Sequence, residues 1–312
     1  MRHLIITGGL GFIGKNFYKK INKYWDKITI IDKNTYSADI NFIKKIIRKD
    51  DEILLGDICD KDFLKNAIPE KATIVHFAAE SHVDSSFKSS ENFTHTNTLG
   101  THLLLNELRF KEVHKIIIIS TDEVYGSTKN ICNELSTLNP SNPYSASKAA
   151  SDLISQSFFK SFKIPIVIVR PNNIYGPFQH IEKIIPATIS AASGNKKLNI
   201  HGSGDVYRHY LHVDDLTNAL KIIIEKFIPG EIYNINGKSK VKIIDLIKRV
   251  AEIKNIDINS FSQFVDDRPF NDYIYRIDGN KIRSLGWNEE KDFNTELETL
   301  AINNSFYIGN SN

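Results

Sequence analysis

Cysteine is scarce in this sequence, and long apolar runs are absent. Cys59 and Cys132 are the two cysteines among 312 residues and form no C-x-x-C pair, so the chain carries no disulfide framework. No stretch of eighteen apolar residues occurs, which excludes a helix that spans a membrane. Neither charge dominates, because 40 basic and 37 acidic side chains leave a formal net charge of +3. That balance is no argument for a nucleic-acid or membrane partner.

Targeting and metal-binding patterns are missing as well. The N-terminal MRHLIITGG leads straight into an apolar strand pattern, so we expect no signal peptide and a cytoplasmic location. His76 and His82 have no partners at metal-ligand spacing, so we predict no metal site. The basic stretch 43–49, IKKIIRK, has apolar residues at helical spacing and predicts an amphipathic surface helix rather than a nucleic-acid site.

What the sequence does contain is a regular alternation of apolar runs and amphipathic stretches. Hydrophobic residues make up 41% and charged residues 25%, as in ordinary globular proteins. The continuous apolar runs predict buried strands at 3–7, 27–32, 51–57, 72–79, 115–121 and 164–171, with helices between them. This order predicts an α/β fold built on a doubly wound parallel sheet of the Rossmann type.

The pattern loosens after Pro171, where turn-forming residues cluster. A strand at 230–236 and helices at 242–253 and 279–287 follow. We predict a first domain over residues 1–170 and, over residues 171–312, mainly a smaller α/β substrate-binding lobe with some segments interleaved into the first domain.

A glycine-rich turn follows the first predicted strand. ITGGLGFIG places Gly8, Gly11 and Gly14 between that strand and a helix that begins near Phe12. Glycine permits the tight turn and lets the backbone approach a pyrophosphate, toward which the helix directs its positive dipole end. Asp32 ends the second strand, where a carboxylate accepts hydrogen bonds from the adenosine ribose and repels a 2′-phosphate. The cofactor predicted for the first domain is therefore NAD rather than NADP.

A tyrosine and a lysine lie four residues apart near the start of a predicted helix. YSASK places Tyr144 and Lys148 on one helical face. A nearby cation favours the phenolate, so we expect Tyr144 to remove a proton near neutral pH. Lys148 can also hydrogen-bond the nicotinamide ribose.

Taken together, these motifs resemble those of the extended short-chain dehydrogenase/reductase family, and within it those of the nucleotide-sugar 4,6-dehydratases. The resemblance rests on TGGLGFIG, GDI, HFAAESHVD, STDEVYG and YSASKAASD, and continues through RPNNIYGP, HGSGDVYRHYLHVDD, GEIYNING and DDRPFND. It covers nearly the whole chain. It implies an enzyme that acts on a nucleotide sugar, keeps NAD tightly bound and forms a homodimer through a helical bundle that includes the Tyr–Lys helix.

The T-D-E triplet of STDEVYG is typical of the dehydratases, and the resemblance assigns its roles. Tyr144 takes the proton of the sugar 4-hydroxyl while hydride passes to NAD. Glu123 removes the proton on carbon 5, Asp122 protonates the departing hydroxyl of carbon 6, and Thr121 hydrogen-bonds the oxygen on carbon 4. For Asp122 to act as an acid, burial or the charge of Glu123 must raise its pKa.

The resemblance also assigns binding residues by position. Cofactor contacts fall on the glycine turn and on the segments after the second, third and fourth strands, with the Tyr–Lys pair: Gly8, Gly11, Phe12, Ile13, Gly14, Asp32, Lys33, Asn34, Thr35, Asp57, Ile58, Phe77, Ala78, Ala79, Ser81, Thr96, Tyr144 and Lys148. Substrate contacts fall on Ser81, Thr121, Asn173, Lys183, Ile184, Asn199, Arg208, Arg268 and Asn271. The two arginines are placed for the diphosphate, whose oxygens suit guanidinium groups.

Two stretches differ from the usual pattern of bacterial dTDP-glucose dehydratases. Ile174 stands in N-N-I-Y-G-P where that pattern has asparagine, and R-P-F-N-D at 268–272 replaces R-P-G-H-D. The R-P-F-N-D form is similar to the dehydratase part of plant rhamnose synthases, so UDP-glucose is favoured, with dTDP-glucose close behind. The expected product is a 4-keto-6-deoxy sugar nucleotide, a step towards rhamnose-type deoxysugars.

Two other readings stay open. A sugar-nucleotide epimerase or decarboxylase of the same family would share most motifs, and Asp122 argues against both. A non-catalytic NAD-binding sensor would keep the glycine turn, and the intact set of catalytic residues argues against it.

Overall fold

The structure is a computed structural model that describes residues 2–267 and 274–309. Its strands, in chain order, are β1 (His3–Thr7), β2 (Lys27–Asp32), β3 (Glu52–Leu55), β4 (Ala72–His76), β5 (Val113–Ile119), β6 (Ile166–Pro171), β7 (Asn173–Tyr175), β8 (Gln179–His180), β9 (Leu198–His201), β10 (Tyr207–His212), β11 (Ile232–Ile235), β12 (Ser239–Lys242), β13 (Ser262–Val265) and β14 (Phe306–Tyr307).

The α-helices of the described ranges are α1 (Phe12–Ile21), α2 (Ile40–Ile46), α3 (Lys61–Ala67), α4 (Val83–Lys88), α5 (Ser90–Phe93), α6 (Thr101–Leu108), α7 (Pro143–Phe162), α8 (Ile184–Ala192), α9 (Val213–Glu225), α10 (Ile243–Lys254), α11 (Ile258–Phe261), α12 (Asn280–Ser284) and α13 (Phe293–Asn303). None of the helices in these ranges is long and apolar enough to cross a membrane.

Seven described strands form the central sheet, in the order β11-β6-β5-β4-β1-β2-β3. Every neighbouring pair in this sheet is parallel. The chain first adds strands on one side of β1 and then returns to add them on the other, which creates a switch point between β1 and β4. The predicted doubly wound α/β fold is confirmed.

Both faces of the central sheet are buried, and neighbouring residues of one strand point to opposite faces. Leu4 and Ile6 pack into one apolar cluster and Ile5 packs into the other. Ile117 and Ile116 separate in the same way on β5. This explains why the strands read as continuous apolar runs rather than as alternating patterns.

Some elements end earlier in the structure than the sequence predicts. The basic stretch 43–49 is helical only as far as Ile46. Arg48 leaves the helix because its guanidinium binds the Asp51 carboxylate at 2.7 Å and the Trp25 carbonyl at 2.9 Å. The helix predicted to begin near Phe12 does begin there, ends at Ile21 and continues as a 3₁₀ turn over Asn22–Tyr24.

A smaller α/β layer stands beyond the carboxyl ends of the central strands. It contains a three-stranded sheet of order β12-β10-β7 and the parallel pair β9 and β13. Helices α8, α10 and α13 pack around Tyr175, Tyr210 and Phe293. Later segments also return to the large sheet, where β11 pairs with β6 and Trp287 packs into the main core. The division at residue 170 itself stays a prediction.

The packing of Trp287 predicts that residues near 287 stabilise the main core. Trp287 is 1% exposed, and its indole N–H donates to the Asp215 carbonyl at 3.0 Å. Trp287→Ala should lower the free energy of unfolding by about 3–5 kcal/mol, measured by denaturant titration. Ile302, which is 62% exposed, provides the control, and Ile302→Ala should change stability by less than about 0.5 kcal/mol. Equal stabilities of the two variants would contradict this packing.

Candidate active site

A cavity of about 460 Å³ opens at the carboxyl ends of the central strands, between the large sheet and the smaller layer. All but two of the described residues predicted for catalysis or binding contribute to its lining. The exceptions are Asn34 and Asp122. Arg268 and Asn271 lie outside the described residues.

The glycine turn after β1 leaves no room for side chains. Gly8 adopts a positive φ of 69°, and a Cβ there would lie 2.5 Å from the Ala78 backbone nitrogen. A Cβ on Gly14 would lie 2.4 Å from the Gly8 carbonyl oxygen. The close packing of turn, helix α1 and the segment after β4 therefore requires glycine at both positions. Such a turn exposes its backbone to a pyrophosphate at the N-terminus of α1.

Asp32 is held at the end of β2 by two backbone donors. Its carboxylate accepts hydrogen bonds from the N–H of Leu10 at 3.0 Å and of Asn34 at 2.8 Å. Asn34 therefore acts through its backbone on Asp32, and its side chain does not line the cavity. Lys33 pairs with Asp57 at 2.7 Å, so both flank the same end of the cavity.

Tyr144 and Lys148 lie in the first turns of α7 and are buried. Asn142 caps this helix by accepting a hydrogen bond from the Ser145 N–H, which explains why the helix begins at Pro143. The Lys148 ammonium donates to the Ile119 carbonyl at the end of β5, at 2.6 Å. Burial lowers the pKa of Lys148 to about 8, although the charge of Asp152 opposes this shift.

In this structure the surroundings of Tyr144 oppose its ionisation, whereas the sequence led us to expect a neighbouring lysine that favours it. Burial raises the pKa of Tyr144 far above its usual range, and the negative charge of Glu123 raises it further. A hydrogen bond with Thr121 favours the phenolate but does not outweigh these effects. The neighbouring cation is visible in the sequence, but desolvation has the largest effect on the pKa of Tyr144.

The two carboxylates follow β5 in a 3₁₀ turn over Asp122–Tyr125, which Thr121 caps by accepting from the Glu123 N–H at 3.2 Å. Glu123 faces the cavity, where the Asn142 amide donates to it at 3.4 Å. Asp122 is 1% exposed and lies behind the wall that Thr121 and Asn172 form. The two side chains of the pair thus differ sharply in exposure.

Burial raises the pKa of Asp122 to about 7, and the charge of Glu123 contributes to the same effect. Hydrogen bonds from Asn172 and Thr121 and the charge of Arg208 act in the opposite direction. The expected elevation of this pKa is therefore present in the structure. Near neutral pH part of the Asp122 population is therefore protonated and can donate a proton, next to a second carboxyl group.

Residues of the smaller layer complete the cavity. The Lys183 ammonium donates to the Ser81 carbonyl at 2.7 Å, which joins α8 to the segment after β4. Arg208 lies over the Tyr275 ring at 5.5 Å. Ser120 Oγ and Asn173 Nδ2 are buried without a hydrogen-bond partner among the described residues. Because buried polar atoms are normally paired, these two cavity-lining groups fit a polar ligand.

Sequence reasoning missed several residues of the site. Asn172 donates to the Asp122 carboxyl at 2.6 Å, and Asn142 contacts Glu123. Glu80 lines the cavity, and Glu182 accepts from the Tyr36 hydroxyl at 3.0 Å. The doubled asparagine of RPNNIYGP was a usable signal for Asn172, whereas nothing in the sequence connects Tyr36 with Glu182.

The glycine turn, the Tyr–Lys pair and the doubly wound sheet together define a short-chain dehydrogenase/reductase of the extended type. Residues 5–300 match the family described as GDP-mannose 4,6 dehydratase. The chain belongs to this family, and its resemblance to the nucleotide-sugar 4,6-dehydratases is confirmed.

Known relatives are enzymes of the same class. The chain is 36% identical to dTDP-D-glucose 4,6-dehydratase of Dictyostelium discoideum, over all of this chain and 83% of the relative. It is also 36% identical to a trifunctional UDP-glucose 4,6-dehydratase/3,5-epimerase/reductase of Arabidopsis thaliana, over 95% of this chain and 46% of that protein.

A solved structure of high similarity is the dTDP-glucose 4,6-dehydratase DesIV of Streptomyces venezuelae with NAD and TYD bound. Its TM-score is 0.93, with 33% identity and 96% of each chain covered. The Bacillus anthracis dTDP-glucose 4,6-dehydratase, with a TM-score of 0.86, 31% identity and coverage of 97% and 96%, also contains NAD. These structures confirm the prediction of NAD as the cofactor.

The burial of Asp122 predicts a pH-dependent stability. An unfolded aspartate has a pKa of about 3.9, whereas the folded value is about 7. The ionised carboxylate is therefore unfavourable in the fold, and the protein should lose stability as the pH rises from about 4 to 7. Asp122→Asn removes this charge, so its melting temperature relative to the wild type should rise across the same window.

Thermal unfolding at several pH values between about 4 and 8 measures this difference. Asp62→Asn, at an exposed position on α3, controls for the loss of one negative charge. If the melting temperatures of Asp122→Asn and the wild type differ by the same amount at every pH, that result would contradict the raised pKa of Asp122.

Proposed function

We propose that the protein catalyses the NAD-dependent 4,6-dehydration of a nucleoside-diphosphate glucose, with UDP-glucose as the favoured substrate. The observation that carries this proposal is the pairing of a buried Asp122, with a pKa raised to about 7, and a cavity-facing Glu123 beside Tyr144. Loss of water across two neighbouring carbons needs one group that accepts a proton and another that donates one.

The cavity residues fit NAD at the large sheet. Gly8, Gly11 and Gly14 would cradle the pyrophosphate, Asp32 would bind the adenosine ribose, and Lys148 would bind the nicotinamide ribose. When bound, NAD would accept hydride from carbon 4 of the sugar and return it to carbon 6.

The side chains around the sugar would move the protons. Tyr144 would take the proton of the 4-hydroxyl, for which its phenol must first ionise. The hydrogen bond with Thr121 favours that ionisation, whereas burial and the charge of Glu123 oppose it. Glu123 would then remove the proton from carbon 5, which the ketone at carbon 4 makes acidic. The bond between carbon 6 and its oxygen would break as Asp122 protonates that oxygen, so that water leaves and a double bond joins carbons 5 and 6. Glu123 would return its proton to carbon 5 when carbon 6 receives the hydride.

The sugar nucleotide would extend from this point into the smaller layer. Asn173 and Lys183 would bind near the sugar, and Arg208 would contact the diphosphate, for which guanidinium groups are suited. We assign residues 171–312 mainly to this substrate-binding lobe. The roles of Arg268 and Asn271 in substrate binding remain proposals from the sequence.

The choice of UDP-glucose rests on the stretch R-P-F-N-D and on Ile174. The UDP-glucose 4,6-dehydratase activity named for the Arabidopsis relative supports it. The dTDP-glucose activity named for the Dictyostelium and human relatives supports dTDP-glucose as the second candidate.

An epimerase or decarboxylase would have no use for the buried acid at position 122, and a non-catalytic sensor would need neither carboxyl group.

We also propose a homodimer in the cytoplasm. Leu99 and Leu153, on the adjoining helical segments before α6 and in α7, are 41% and 58% exposed. Exposed large apolar side chains on packed helices favour a second copy of the chain as the partner. The free thiols of Cys59 and Cys132 support a reducing compartment.

Incubation with UDP-glucose or dTDP-glucose tests the proposed reaction. Purified protein with NAD should produce a 4-keto-6-deoxy sugar nucleotide, identified by mass spectrometry and NMR. The ratio of kcat/KM for the two substrates should favour UDP-glucose by about tenfold or more, the discrimination that one methyl group allows. A ratio in favour of dTDP-glucose would reverse the nucleotide assignment, and no product from either would overturn the reaction.

Substitutions at the two carboxylates separate oxidation from elimination. Asp122→Asn should slow loss of water by about 10²-fold or more, because general acid catalysis contributes in this range. Glu123→Gln should leave cofactor binding intact and block proton removal at carbon 5, so reduced cofactor should accumulate and be seen by its absorbance. Normal turnover of either variant would remove that residue from its role.

A further inference from the structure

We propose that Asn172 is a positioning residue that orients the Asp122 carboxyl group for proton donation to the substrate. The inference rests on the proposed dehydration and adds to it the group that places the acid. Asn172 directly follows β6 and is 3% exposed, and part of its surface lines the cavity.

The contact between the two side chains is short and buried. Asn172 Nδ2 donates a hydrogen bond to Asp122 Oδ2 at 2.6 Å, across fifty positions of the sequence. Asn172 Oδ1 accepts from the Gly237 N–H at 3.1 Å, and the Asn172 N–H donates to the Ile235 carbonyl at 3.0 Å. Three hydrogen bonds thus join this asparagine to the turn after β5 and to the end of β11.

The Gly237 contact determines which way the Asn172 amide faces. A backbone N–H can only donate, so it must meet the oxygen of the amide and not its NH₂ group. The NH₂ group is therefore directed at Asp122. Gly237 itself is held closely, because a Cβ there would lie 1.8 Å from the Tyr210 carbonyl oxygen.

The amide direction determines how the Asp122 carboxyl group is held. Asp122 Oδ2 accepts from Asn172 Nδ2, and Asp122 Oδ1 accepts from the Thr121 hydroxyl at 3.2 Å. Asn172 and Thr121 both line the cavity. Asn172 therefore holds the acid at the cavity wall, where it can give its proton to the substrate.

The same hydrogen bond influences how readily Asp122 ionises. The other groups that act on its charge are Glu123 and Thr121 beside it and Arg208 on β10, and its charge in turn raises the pKa of Tyr144 on α7. An N–H donor stabilises the carboxylate and lowers its pKa. Removal of the Asn172 donor should therefore raise the pKa of Asp122 and keep it protonated to higher pH.

Two variants at Asn172 test the inference. Asn172→Leu removes the amide with little change in volume, and Asn172→Ser keeps a polar group for Gly237 that is too short to reach Asp122. The carboxyl titration of Asp122 can be followed by NMR on ¹³C-aspartate-labelled protein without substrate, with Asp122→Asn to assign the signal. In both variants the titration midpoint should move to higher pH.

Kinetics provide the second measurement. Both variants should reduce kcat by about tenfold or more, with KM within about twofold of the wild type, because an acid is misplaced while binding is kept. The basic limb of the kcat profile should move to higher pH, whereas reduction of the cofactor in the first half of the reaction should keep its rate.

Asn16→Leu is the matched control. Asn16 is 5% exposed and donates to the Phe12 and Pro177 carbonyls at 2.9 and 3.0 Å, on a different element from Asp122. This variant should lose thermal stability and leave the Asp122 titration unchanged. A folded Asn172→Ser or Asn172→Leu protein with wild-type titration and kcat would overturn the inference.

The two measurements also distinguish this inference from the proposed reaction. The NMR titration needs neither substrate nor turnover. If the wild type forms no dehydration product but the Asp122 midpoint still moves in the variants, the coupling stands and the proposed reaction fails. If the wild type is active but the Asp122 titration midpoint and kcat do not change in the Asn172 variants, the positioning role is wrong and the proposed reaction stands.

Discussion

The burial of one of two adjacent carboxyl groups is the constraint on which the site depends. Asp122 is enclosed behind Thr121 and Asn172, whereas its neighbour Glu123 faces the cavity. Loss of hydration and the nearby like charge both oppose ionisation of Asp122 and raise its pKa to about 7. Two chemically similar acids thereby take different roles: one can donate a proton, and the other remains accessible to substrate.

This division requires the carboxyl ends of several parallel strands to meet. The turn after β5 carries both acids, the residue after β6 contacts Asp122, and the loop after β11 orients that contact through Gly237. Helix α7 packs against the same end and brings Tyr144 and Lys148, with the Lys148 ammonium bonded to the last carbonyl of β5. A doubly wound sheet gathers such loops at one edge, where ligands bind.

Much of the fold and part of the site could be predicted from local patterns. The glycine turn could be recognised because its glycines are required by local backbone geometry. Tyr144 and Lys148 could be recognised because helical spacing brings them together. The burial that raises the pKa of Tyr144 could not be predicted, because the sequence shows neighbours along a helix but not the loss of solvent around them. Asn34 was assigned to the cofactor from the sequence, and in the structure its backbone N–H donates to Asp32.

The sequence by itself determined the class of fold, the glycine cradle, the acids after β5 and the Tyr–Lys pair, because each depends on residues close together in the chain. Tertiary structure decided which carboxyl is buried, which atom of Asn172 meets Asp122, and how Lys183 reaches Ser81. These properties depend on solvent exclusion and on contacts between distant strands. Periodicity and motif spacing contain no information about either, because desolvation arises only when the separate segments pack.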